Sequence, residues 1–180
     1  MNPMQIIDYW YSDEMRKHWF ASTPELDYEI KSNYEKIWES AGAGNLDEWR
    51  NTPEGCLALT IILDQMPLNM FRGTARSFAT EGKAVEVALF AVENDFDEQI
   101  SADKLPFLFM PFMHSENLEH QDLSVKLFSK HNLQDSLKFA LHHRDIVLKY
   151  GRFPHRNKIL GRESTKEEME YLASEDSFKG

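Results

Sequence analysis

Three times in its first 53 residues the chain sets a capping side chain directly before a proline: Asn2-Pro3, Thr23-Pro24 and Thr52-Pro53. That pair is a helix start. Proline's ring holds φ near the helical value, and its missing N–H costs nothing in a first turn where no carbonyl waits for it. The residue before a proline is held extended, which is the conformation an N-cap needs. Apolar residues follow each pair at helical spacing. Ile6, Ile7 and Trp10 stand behind the first. Leu26, Ile30, Tyr34, Ile37, Trp38 and Ala41 stand behind the second, on one face of a helix that Gly42 and Gly44 end. The third leads into LALTIIL, Leu57 to Leu63, apolar nearly all round and therefore expected to be central, with Pro67 as its stop. Seven apolar residues also suit a buried strand, but the Thr-Pro start and the lack of other strand candidates favour a helix.

The remaining punctuation is of the same kind. A helix is expected from about Thr80 to Glu93. LPFLFMPFM, Leu105 to Met113, reads as a short apolar segment broken by two prolines. Ser115 is expected to cap a helix carrying Leu118, Val125, Leu127 and Phe128. Another helix should span roughly Gln134 to Tyr150 and stop at Gly151. Ser164-Thr165-Lys166-Glu167 reads as a capping box opening a last helix that buries Met169 and Leu172, with a frayed tail after Ser174. The expectation is an all-α single domain over residues 1–180, with seven to eight helices. Its short links favour antiparallel neighbours stacked as helix pairs.

Bulk properties exclude several roles. Hydrophobic residues make up 42% of the chain, enough for a core. A net charge of −10 repels duplex nucleic acid and anionic membrane surfaces. No apolar run approaches the roughly 20 residues that span a bilayer, and the first residues lack a basic leader and cleavage site, so a cytoplasmic location is expected. A lone cysteine excludes an internal disulfide and a Cys-rich zinc site. Cys56 sits among Leu57, Ala58 and Leu59 and reads as a small core residue, with a nucleophile as the alternative. Trp10, Trp19 and Phe20 read either as homodimer contacts or as core.

The charge is uneven. From His142 to Arg162 there are six Lys/Arg and one acid. P-loop, dinucleotide glycine, GxSxG and HExxH signatures are absent. Four polar segments remain, each at a helix end. LDQMPLN carries Asp64 and Gln65 at the end of the most apolar helix, where a carboxylate needs an arginine partner or a ligand. MFRGTARSFATE places Arg72 before Gly73-Thr74 in a loop suited to an anion. MPFMHSE sets His114 beside Glu116, a pairing used in general acid/base work and in metal binding. Together with His120 these are three ligands without a fourth, so no metal or cofactor is assigned. GRFPHRN packs Arg152, His155, Arg156 and Asn157 between Gly151 and a proline-stiffened turn, with Phe153 as an apolar anchor.

LDQMPLN, FRGTARSFATE, MPFMHSE and YGRFPHRNKILGRESTKEE, in this order, resemble the bacterial family catalogued as domain of unknown function 924. The resemblance runs from IIDYWY to the last helix. It implies an all-helical fold similar to tetratricopeptide-repeat superhelices and carries no assigned activity. Family members usually have arginine where this chain has Leu68, and often aspartate where it has Glu81. Loss of that arginine shifts the expected anion contacts to Arg72, Arg152 and Arg156. His155 and Asn157 are then orienting donors, with Asp64, Gln65, His114 and Glu116 as walls. The leading expectation is a pocket for an anionic small molecule or peptide carboxylate. A hydrolase or transferase using a His/carboxylate pair in the same pocket is the first alternative. A structural or interaction protein whose motifs close a polar core is the second.

Overall fold

The computed structural model describes residues 1–175 and 177–178. Among these residues there is no strand, and ten α-helical segments make nine helices. They are α1 (Pro3–Trp10), α2 (Asp13–Arg16), α3 (Pro24–Gly42), α4 (Pro53–Thr60), α5 (Met66–Met70), α6 (Glu81–Glu93), α7 (Leu105–His114), α8 (Leu118–Lys130), α9 (Gln134–Tyr150) and α10 (Lys166–Leu172). A π turn over Ile61–Gln65 joins α4 to α5. Neighbours pack as an all-α superhelix. α1 lies on α4, α3 on α5 and the π turn, α6 on α4, α7 on α6 and α8, and α8 on α9. No helix of the described residues is long and apolar enough to cross a membrane.

The three cap–proline pairs act as read. Asn2 and Gln5 exchange side-chain and backbone bonds in a capping box, Thr23 accepts from the Leu26 N–H and Thr52 from the Gly55 N–H. The last of these brings α4 hard against the segment before it. A Cβ on Gly55 would sit 1.8 Å from the Trp49 carbonyl oxygen. α4 is central as expected, and every residue from Gly55 to Thr60 is buried. Cys56 is part of that core. Its Sγ donates to the Arg50 carbonyl, and burial pushes the thiol up to about 11, the opposite of what a nucleophile needs. Trp10 is buried and Trp19 packs on Phe107 while donating to the Trp10 carbonyl, so both serve the core; Phe20 is exposed.

Five local readings are corrected. Pro67 does not stop the central helix. The π turn lets Met66 N–H reach Ile61 O, and the Leu63 carbonyl that Pro67 cannot serve accepts the Thr80 hydroxyl at 2.5 Å. Thr80 in turn accepts the Trp38 indole N–H. LPFLFMPFM is not broken by its prolines but forms α7, because Pro106 sits in the first turn and the burial of Leu105 and of Phe107 through Met113 outweighs the one bond lost at Pro111. Asn117, not Ser115, caps α8; Ser115 ends α7. The capping box of α10 is Thr165 with Glu168, one residue later than read. That shift rotates the helix, burying Glu168 and leaving Met169 55% exposed. The short α2, capped by Ser12, has no apolar period long enough to announce it.

Candidate functional site

The end of the central helix sets the site. Within the π turn Asp64 and Gln65 are 2% and 6% exposed, carried inward by the wide turn rather than out to solvent. Gln65 donates its amide to Asp64. The other partner of Asp64 is His114, the last residue of α7, whose Nδ1 lies 2.8 Å from Oδ2 and 3.1 Å from Oδ1. Burial alone would lower the His114 pKa, but the Asp64 carboxylate outweighs it and raises His114 above its ordinary value. A carboxylate holds Nδ1, and the other ring nitrogen, Nε2, has no hydrogen-bond partner among the described residues.

Glu81, at the start of α6, faces Arg156 across 3.0 Å. Burial pushes its carboxyl up to about 7; Arg156 pulls the other way, and Asp64 and Glu116 add to the rise. Arg156 is 5% exposed, with its guanidinium over the rings of Phe78 (4.4 Å) and Phe153 (4.7 Å) and its Nε without a partner among the described residues. Two further carboxylates clamp the 151–168 segment. Glu116 takes two bonds from Arg162 (2.6 and 2.9 Å) and the Phe153 N–H (2.7 Å). Burial works against its charge, but those donors win and lower its pKa. Glu168 takes two bonds from Arg152 and one each from Asn157 and the Thr165 N–H, and is held at about 2, chiefly by Arg152. Asn157 Oδ1 accepts from Arg162, which ties the two clamps together.

A histidine group flanks this network. His143 is buried on α9 and donates Nδ1–H to the Phe139 carbonyl at 2.8 Å. Burial pushes it down to about 3, with His114 adding to the fall. His155 is pushed down to about 4 by burial and then by Arg156, and its buried Nδ1 has no partner among the described residues. Phe153 stands between these two rings, 5.5 Å from His143 and 5.7 Å from His155.

Residues 6–176 match a family described as bacterial protein of unknown function, DUF924. The chain belongs to the DUF924 family. A solved structure of a protein of unknown function from Agrobacterium tumefaciens, ATU0120, is similar to it. The two chains are 35% identical with a TM-score of 0.87, and the match covers 95% of this chain and 96% of that one. No curated protein matches.

In this DUF924 chain the fold brings all four polar segments together. Asp64, bonded by Gln65, meets His114, Glu81 meets Arg156, and Glu116 meets the segment that carries Arg152, Arg156 and Asn157. His155 stands beside them on Phe153. Arg72 does not join. Because the chain stays helical past Pro67, Arg72 is delivered to α3, where it binds Asp27 at 2.6 and 3.2 Å next to Asn69. It lines a separate open groove of about 570 Å³ with Tyr28, Lys31 and Phe71. The trio His114, Glu116 and His120 is not assembled either, since these side chains bond to Asp64, Arg162 and Ser115 respectively. Sequence reasoning missed Glu81, His143, Arg162 and Glu168. Glu81 and Glu168 are first-turn acids of α6 and α10, and nothing local in the sequence marks their arginine partners.

Proposed function

We propose that the chain binds an anionic small molecule or peptide carboxylate at Arg156, with Glu81 taking up a proton as the anion replaces it. The observation that supports this is the unequal character of the ion pairs. Glu116 and Glu168 are strong, well-donated carboxylates with lowered pKa values, so they hold Arg162 and Arg152 firmly. Glu81, titrating at about 7, is the weak partner, and the buried Arg156 has a donor to spare. Protonating Glu81 releases a desolvated guanidinium, the side chain best suited to a carboxylate or phosphate. His114 stands beside Asp64, whose carboxylate raises its pKa against the effect of burial and so favours its charged form.

Calorimetric titration with acetate, propionate and inorganic phosphate tests the reading. Coupling to one proton with a midpoint near 7 makes binding about tenfold tighter at pH 6 than at pH 8. Arg156→Met is expected to abolish it, and Arg144→Met, a surface pair with Asp122, to leave it unchanged. Equal binding by wild type and Arg156→Met sinks the proposal.

One observation favours a second reading in the same place. The 2.8 Å Asp64–His114 contact with Nε2 unengaged is the arrangement of an oriented general acid/base. Turnover of nitrophenyl esters or phosphates that disappears in His114→Gln and persists in His120→Gln would support a hydrolase or transferase. Turnover unaffected by His114→Gln would remove it.

A further inference from the structure

Phe178 carries its ring back onto the histidine group. Its centroid lies 4.5 Å from His143, 5.1 Å from His155 and 6.2 Å from His142, and its N–H donates to the Tyr171 hydroxyl at 2.9 Å. The seat it occupies is unusual for so polar a region. Both His143 and His155 are held neutral by burial, and Phe153 closes the wall between them. Two uncharged imidazoles and a phenyl ring offer faces and edges at the 4.5–7 Å spacings aromatic pairs prefer. Next to the ring a cavity of about 310 Å³ remains, lined by His155, Lys158, Ser164, Leu172 and Phe178. That is already the lower end of small-ligand pockets. Two of the lining residues carry polar groups with no side-chain partner among the described residues: His155, whose Nδ1 is buried, and Lys158, which is exposed.

We infer that the seat of the Phe178 ring, together with the cavity beside it, is a subsite for the aromatic ring of an anionic ligand, and that Phe178 of the chain's own C-terminal segment occupies the seat when no ligand is bound. The inference rests on the anion reading above for the ligand's charge and adds its chemical class: an aryl carboxylate, or a peptide end bearing an aromatic side chain. The ligand's ring takes the place of the Phe178 ring between His143 and His155. His155 Nδ1 and the Lys158 ammonium supply the polar contacts that the phenyl ring of Phe178 cannot use. A polar ligand group thus recovers a hydrogen bond that the filled state leaves unmade, which is what gives an incoming ligand an advantage over the tail.

A segment that fills its own seat nine-tenths of the time weakens a competing ligand about tenfold. The full chain, Phe178→Ala and Arg156→Met are therefore titrated with 3-phenylpropionate and with propionate, following the imidazole C–H signals of His143 and His155. Phenylpropionate is expected to bind Phe178→Ala about tenfold more tightly than wild type, while propionate, which has no ring, binds both alike. The His143 and His155 signals should shift in Phe178→Ala before any ligand is added. Phenylpropionate binding that is lost in Arg156→Met but indifferent to Phe178→Ala keeps the anion reading and overturns the aromatic seat. Binding that tightens in Phe178→Ala and ignores Arg156→Met keeps the seat and removes the anion reading. Failure of phenylpropionate to bind Phe178→Ala, or an equal gain for propionate, overturns the inference outright.

Discussion

His143→Gln should remove a large part of the protein's sensitivity to acid. A carbonyl only accepts, so the 2.8 Å bond to the Phe139 carbonyl fixes the proton of His143 on Nδ1 and leaves Nε2 bare. Protonating Nε2 puts a charge among the rings of Phe153 and Phe178 and near His114 and Arg156. The folded value of about 3 lies below the roughly 6.5 of an unfolded histidine. The sign follows. This group's contribution is fully present above 6.5 and is lost as pH falls towards 3. Each pH unit in that window is worth about 1.4 kcal/mol, so the two units from 6.5 to 4.5 remove about 2.7 kcal/mol. His155 falls in the same direction and Glu81 in the opposite one, but both are shared by wild type and variant and cancel in the difference. Urea denaturation followed by tryptophan fluorescence at pH 7 and pH 4.5 measures it. Glutamine keeps a donor for the Phe139 carbonyl and cannot titrate. The stability gap between wild type and variant should therefore shift towards the variant by about 2–3 kcal/mol on acidification. A shift below about 1 kcal/mol, or a His143 titration midpoint near 6, would refute the argument.

Glu81→Gln reports the opposite linkage. A carboxyl raised to about 7 contributes stability below about 4.5 and loses it as pH rises through 7, so the variant should gain on wild type by about 3 kcal/mol between pH 4.5 and 8 in the same denaturation assay. Thr80→Val unpairs both the Leu63 carbonyl and the Trp38 indole and should cost about 1–3 kcal/mol; a variant as stable as wild type would show that the carbonyl left free by Pro67 needs no partner. Gly55→Ala drives a Cβ into the Trp49 carbonyl. It should lower the thermal midpoint by more than the few degrees a helix alanine could restore, and an unchanged midpoint would contradict the close approach.

Most of the helix order was legible because it is written in local chemistry. The Asn-Pro and Thr-Pro starts and the left-handed Gly151, at φ 70°, act within a turn or two and need no tertiary information. The two proline misreadings share one cause. Pro67 and Pro111 both sit where a rule of local sequence predicts a break, and in both cases burial across the chain overrides it. Thr80, seventeen residues away, supplies the missing donor at Leu63, and nothing in LDQMPLN announces it. The same holds for the site. Its residue types were visible as arginines and acids at helix ends, but the pairing was not. Arg72 and Arg156 look alike in sequence, yet one is delivered to Asp27 and the other to Glu81 by helix directions that only packing sets.

The pairing also bears on how a polar core could double as the proposed binding site. Among the described residues, the segment that follows α9 adds Phe153, Tyr171 and Phe178 to a small apolar cluster built on Ile146, Val147 and Tyr150 of α9. Its attachment to the body therefore leans on the carboxylates Glu81 and Glu116, and its internal order on Glu168. Glu116 accepts two bonds from Arg162 and a third from the Phe153 N–H, so displacing it from Arg162 would loosen the segment. Glu81 differs because burial has already weakened its acidity. On the anion-binding proposal, it gives up its charge, keeps its place in the fold and leaves Arg156 for a ligand. Site and scaffold are thus separated by the strength of individual carboxyl groups, not by distance. On that proposal the Glu81–Arg156 pair is where the network opens, while Glu116 and Glu168 hold the segment in place.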